Sequence, residues 1–267
     1  MHLLLLFSAL AVIAFLGFSS LAPFKDQLLS VINRKPDSFA SSSSDTSYNL
    51  GVLELKYFPL TADGQNIDIA VTGDVGDSYS VIRQRTIDAS SNLLQLLPKA
   101  TKYLGYKDPS AQPALTYSMI DSKEYKEKVP LQSGSTNKPD FNKILTEHNI
   151  CDYVDNKNVR EVWLWAYQGP GPNLATSESQ LTGPTMTFAN GPYYQAPICR
   201  NTYRILTFNY QRGTSEAMHS WGHSIEFELA AVDGALFNNA FQGQPQPPLS
   251  GSVGRCGSVH NPPNSTK

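Results

Sequence analysis

Hydrophobic and polar positions change period several times along this chain, and each change marks an element. Residues 51–60 (GVLELKYFPL) form a β-rich run. Residues 78–105 then carry Val81, Ile82, Ile87, Leu93, Leu94 and Leu97 at mostly helical spacing, and residues 114–121 (ALTYSMID) are strand-like again. In residues 140–154, Phe141, Ile144, Leu145 and His148 recur at i, i+3, i+4 and i+7 behind Asp140, a residue type suited to capping a helix N-terminus. Residues 159–167 (VREVWLWAY) and 203–210 (YRILTFNY) are the two clearest strands, and a helix rich in histidine follows the second.

Strands alternating with helices, the strands nearly continuous in apolar residues, predict an α/β fold. The expected form is a three-layer, mainly parallel sheet with helices on both faces. In such sheets ligands gather beyond the carboxyl ends of the strands. Two segments leave strands there: residues 168–184, which carry Glu178, and residues 211–219, which run into the histidine helix. Both are expected on one rim of the sheet.

The ends of the chain have a different pattern. Residues 3–22 form an uncharged apolar run of about twenty residues, enough to span a bilayer, so residues 1–24 read as a signal peptide or a membrane anchor. Residues 25–47 are polar and serine-rich without periodicity, a linker composition. The α/β domain is expected over 48–241. Residues 242–267 are a Pro/Gly-rich tail that reads as a chain cut short, with elements that complete the sheet lying beyond it.

Composition fits export. Charged residues are only 16%, against roughly 25% in average soluble proteins. With 21 basic and 23 acidic residues and no basic run, there is no field to attract nucleic acid. Cys151, Cys199 and Cys256 cannot all pair within one chain. One disulfide suits an oxidising compartment, and Cys151 with Cys199 is the preferred pair because each adjoins a predicted core element. Without a CxxC pair, a thiolate zinc site is not expected.

Candidate chemistry concentrates in SEAMHSWGHSIE, residues 215–226. On a helix His219, His223 and Glu226 share one face, the arrangement by which two imidazoles and a carboxylate hold one cation. The competing reading is a core helix whose apolar side is Met218, Trp221, Ile225 and Leu229. His260, in CGSVHNPPN, would complete a three-histidine site, and Glu178 on the rim would be a general base or a further ligand. Arg212, just before the helix, would clamp an anionic substrate group, whereas Glu216 in its first turn answers the macrodipole. Tyr193 and Tyr194 are candidate contacts for a glycan or peptide. Trp163 and Trp165 read as core, as does His148. Residues 169–174 (GPGPNL) break a dinucleotide loop at Leu174, and no GxSxG elbow or Walker loop occurs.

The HxxGH of His219 and His223 resembles the HExGH variant of the zincin metallopeptidase helix, but Ser220 stands where that family has the glutamate that activates water. More widely, VREVWLWAY, SESQLTGP, FNYQRGTSEAMHSWGHSIE and CGSVHNPPN together resemble an exported bacterial domain type of no established activity. That resemblance implies one module from Tyr48 onward and no particular chemistry. The expected function is that of an exported hydrolase dependent on a divalent metal, zinc foremost, acting on peptide or glycan at the cell surface. The alternative is a non-catalytic surface module that binds glycan or protein.

Overall fold

The computed structural model describes residues 47–73, 76–102, 108–169, 179–185, 187–190 and 195–238. Its first strand, β1 (Tyr48–Tyr57), leads through a short helix, α1 (Ile69–Thr72), into α2 (Tyr79–Ala100) and then β2 (Leu115–Tyr125). Next come α3 (Phe141–Glu147), α4 (Ile150–Asn156) and β3 (Val159–Ala166). The chain continues as β4 (Ser179–Thr182), β5 (Thr187–Asn190) and β6 (Tyr203–Asn209), followed by α5 (Thr214–Val232) and α6 (Gly234–Leu236).

The strands make one sheet in the order β2-β1-β3-β6-β4-β5. β2, β1, β3 and β6 run parallel, as the alternation predicts. β4 is antiparallel to both β6 and β5, so the sheet is mixed. This corrects the reading of residues 168–184 as rim loop throughout, because Ser179–Thr182 is a strand buried at every position. Four residues without an apolar alternation leave no periodic signal. The chain moves from β1 outward to β2, then crosses back to β3 and on to β6, so the strand order reverses at the carboxyl ends of β1 and β3.

The β1–β2 ladder has an extra residue. Val52 pairs with Met119 and Leu53 with Asp121, leaving Ile120 as a bulge and bringing Ser122 opposite Glu54. Trp163 and Trp165 are fully buried and both rings meet Phe208, at centroid distances of 5.9 and 4.9 Å, so they share one face as i, i+2 residues do. Burying each contributes roughly 2–3 kcal/mol.

α2 packs on the sheet through Ile82, Ala89, Leu93 and Leu97. In α5 the stripe turned to the sheet is Ala217, Ser220, Ser224 and Glu228. The expected apolar side is therefore corrected: Leu229 is buried, whereas Met218, Trp221 and Ile225 are half-buried flanks. A polar stripe is tolerated because β6 offers it Arg204, which has no exposed surface and ion-pairs with Glu228 at 3.1 Å and with Glu161 of β3 at 3.6 Å. Glu161 also accepts from Trp163 Nε1 at 2.8 Å and from the Tyr117 hydroxyl at 3.4 Å.

The periodic stretch at 140–154 folds as two helices. Asp140 caps α3, its carboxylate accepting the Lys143 N–H at 3.0 Å, and Asn149 breaks the run in the left-handed region at φ 50°. Cys151 of α4 forms the expected disulfide with Cys199, ahead of β6, with Cα atoms 5.1 Å apart. Beside it the Asp155 carboxylate accepts the N–H groups of Arg200 and Asn201 at 3.1 and 2.9 Å. Cys256, residues 1–24, nearly all of the linker and the tail lie outside the described residues. Among the described residues no helix is long and apolar enough to cross a membrane.

Candidate functional site

β3 and β6 lie side by side and parallel, so the segments leaving their carboxyl ends meet on one rim. The Gln168 N–H donates to Gln211 Oε1 at 3.1 Å, and Arg212 Nη2 donates to Gln168 Oε1 at 3.1 Å. Gly213 turns the chain into α5 at φ 77° and ψ −165°, a conformation that favours glycine. Arg212 is half exposed and its Nη1 bonds Glu216 Oε1 at 2.8 Å, one turn into the helix. An anionic group arriving at the rim would have to share Arg212 with that carboxylate. α2 is tied to the same corner, Asn92 Nδ2 donating to Thr214 Oγ1 at 3.2 Å.

Farther along α5 the helical pitch brings His219 beside His223. Their rings are perpendicular with centroids 4.5 Å apart, and the two Nε2 atoms are 3.0 Å from each other. On its far side the His223 ring meets Glu226, Nδ1 to Oε2, at 3.2 Å. In the tautomer that carries its proton on Nδ1, His223 donates to Glu226 and turns its Nε2 lone pair toward His219. Two imidazole nitrogens on one zinc at about 2.0–2.1 Å stand roughly 3.0–3.4 Å apart for ligand angles of about 95–110°. The observed pair fits the lower end of that range.

Glu226, expected as a third ligand, meets His223 on the nitrogen opposite the one that faces His219. Among the described residues no cluster of three or more His, Cys, Asp or Glu side chains is arranged to hold a metal ion. The described donors are the two histidines. Glu178, Tyr193, Tyr194 and His260 lie outside the described residues. Ser220, at the position of the zincin glutamate, is 2% exposed and lies in the stripe turned to the sheet. The helix as folded therefore offers no water-activating group there.

His148, expected in the core, is half-buried. Its Nδ1 lies 3.4 Å from the Tyr125 hydroxyl and the two rings are 5.3 Å apart. Burial, with the nearby Lys123 ammonium, holds its pKa below the usual imidazole range. Sequence reasoning passed over the charged residues inside strands: Glu54 and Lys56 in β1, Glu161 in β3 and Arg204 in β6, all almost wholly buried. Their signal was present, since each interrupts an otherwise apolar run, and a buried charge is retained only with partners.

Comparison with protein families, curated proteins and solved structures finds no match to this chain.

Proposed function

We propose that this protein is an exported, metal-dependent hydrolase acting on peptide or glycan at the cell surface. The observation that carries the reading is the convergence of His219 and His223 through Nε2 at 3.0 Å, with Glu226 on the opposite nitrogen of His223. A carboxylate behind an imidazole is the usual outer-shell partner of a metal-binding histidine. In this reading His219 and His223 hold a divalent metal, zinc foremost, and His260 supplies a further ligand. When bound, the ion lowers the pKa of its water and polarises the scissile bond. Arg212 binds an anionic group of the substrate, and Glu178 takes the proton from the attacking water, the role Ser220 cannot fill. Helices cover both faces of the sheet in a three-layer arrangement, and the apolar run at residues 3–22 directs the chain to the membrane or across it.

One observation favours the other reading, a non-catalytic module that binds glycan or protein through Tyr193 and Tyr194. It is the burial of Ser220, which leaves the metallopeptidase-like helix without its base. Elemental analysis of the purified full chain beside the His219→Ala/His223→Ala double variant separates the two. About one zinc per chain, lost in the variant, is the expected result for a site of this type. A metal-free chain that takes up no added zinc, with glycan or protein binding retained in the folded variant, would establish the module instead.

A further inference from the structure

A second group of chemistry-bearing side chains lies across β1 and β2, on residues that the metal reading does not use. Glu54 and Lys56 are alternate residues of β1, 3% and 6% exposed, and Lys56 Nζ donates to Glu54 Oε2 at 2.9 Å. A buried pair of this kind is weak evidence for stability, because apolar residues of similar volume often serve as well. The pair is not closed on itself. The Ser122 hydroxyl enters between the two charges, accepting from Lys56 Nζ at 2.8 Å and donating to Glu54 Oε2 at 2.6 Å. The second Glu54 oxygen is held by the Ser90 hydroxyl from α2.

Three features distinguish this triangle from an ordinary satisfied ion pair. Ser122 is the exposed residue of the triangle and stands on β2, an edge strand of the sheet, whereas Glu54 and Lys56 are buried. The β-bulge at Ile120 sets the register: without the extra residue Asp121 would stand opposite Glu54 and place two carboxylates together, whereas the bulge presents a hydroxyl. Finally, the bonds follow the order of an activated nucleophile, a serine within reach of a base whose other oxygen is held by a third group.

We infer that Ser122 is a nucleophile for acyl esters, with Glu54 as its base and Lys56 as the cation beside the developing oxyanion. The Ser122 oxygen bonds to the acyl carbon as its proton passes to Glu54. The carbon–oxygen bond to the departing alcohol breaks, and the alcohol takes that proton. A water molecule then attacks the acyl-serine, giving its proton through Glu54 to the Ser122 oxygen, and the carboxylic acid leaves. This inference does not depend on the histidine site.

The test treats the full chain with a fluorophosphonate probe and, separately, with p-nitrophenyl acetate, locating adducts by peptide mass mapping. The expected result is one adduct, on Ser122, with a matching burst of p-nitrophenolate. Ser122→Ala removes the hydroxyl that bridges Lys56 and Glu54, so it should melt somewhat below the parent, still cooperatively, while losing both signals. Glu54→Gln, where it melts cooperatively, should slow adduct formation by roughly 100-fold or more, the scale of general-base assistance. A folded parent chain that forms no adduct, or an adduct that persists in Ser122→Ala, would overturn the assignment.

Discussion

Replacing Arg204 with methionine tests what fixes the histidine helix to the sheet. The substitution keeps most of the side-chain volume, so a cavity is a minor cost, and it removes the guanidinium that pairs with both Glu161 and Glu228. Both carboxylates are then left where the side-chain exposures are 0% and 6%. Removing one partner of a buried ion pair costs about 3–5 kcal/mol, because the remaining charge is uncompensated. At a urea slope of roughly 2–3 kcal/mol/M this lowers the unfolding midpoint by about 1–2.5 M. The pH dependence is a second reading of the same cause. Burial raises the pKa of Glu228, with Arg204 pulling the other way. A carboxyl with a raised folded pKa binds its proton more readily folded than unfolded, so its penalty is largest above that pKa and relaxes as pH falls toward the unfolded value of about 4.3. With Arg204 gone the pull is lost, and the cost of Arg204→Met should shrink between pH 7 and pH 5. A triple variant adding Glu161→Gln and Glu228→Met, which retains an acceptor for Trp163 and Tyr117, should recover most of the loss. Urea titrations at the two pH values decide the matter. A cost below about 1 kcal/mol at pH 7, or one that is pH-independent and not relieved in the triple variant, would refute the account of Arg204 as a compensated buried charge.

The Cys151–Cys199 bridge closes a loop across a sequence separation of 48. Chain-entropy arithmetic for a loop of that size gives a stabilisation of about 4 kcal/mol. Denaturation of Cys151→Ala/Cys199→Ala should show a loss near that size, and a loss under about 1 kcal/mol would mean that the unfolded chain is not what the bridge constrains. His148, whose pKa is held down chiefly by burial, takes its proton in the unfolded chain before the folded one. Stability should therefore fall as pH drops from about 6.5 toward the depressed folded value. His148→Gln should flatten that part of the profile, and an unchanged slope in stability against pH would show that His148 contributes nothing to it.

Long periodic elements were the legible part of the fold. β1, α2, β2, β3, β6 and α5 each carry enough apolar repeats to declare their type, and Asp140 and the cysteine pair behave as their chemistry predicts. β4 and β5 were hidden because four residues hold too few repeats, and what makes SQLT a strand is the neighbouring edge of β6. Asn149 divides α3 from α4 through its left-handed backbone, a choice that an apolar count does not register. At the site, the spacing of His219, His223 and Glu226 correctly placed three side chains together. It could not say which imidazole nitrogen faces which partner: Glu226 meets His223 at Nδ1, opposite the Nε2 that faces His219. The network around Ser122 depends on a one-residue bulge, visible only in the register of two strands.

The antiparallel edge of the sheet imposes an order in time. β4 and β5 leave the ribosome before β6, yet β6 is the strand against which β4 pairs. At roughly 5–20 residues per second, the 19 positions from Asn190 to Asn209 take on the order of one to four seconds to appear. A two-stranded hairpin closes in about 1–10 μs but is marginally stable on its own in water. For that interval β4 and β5 stand without their template, and completion of the sheet waits for the strand that carries Arg204 and leads into the histidine helix.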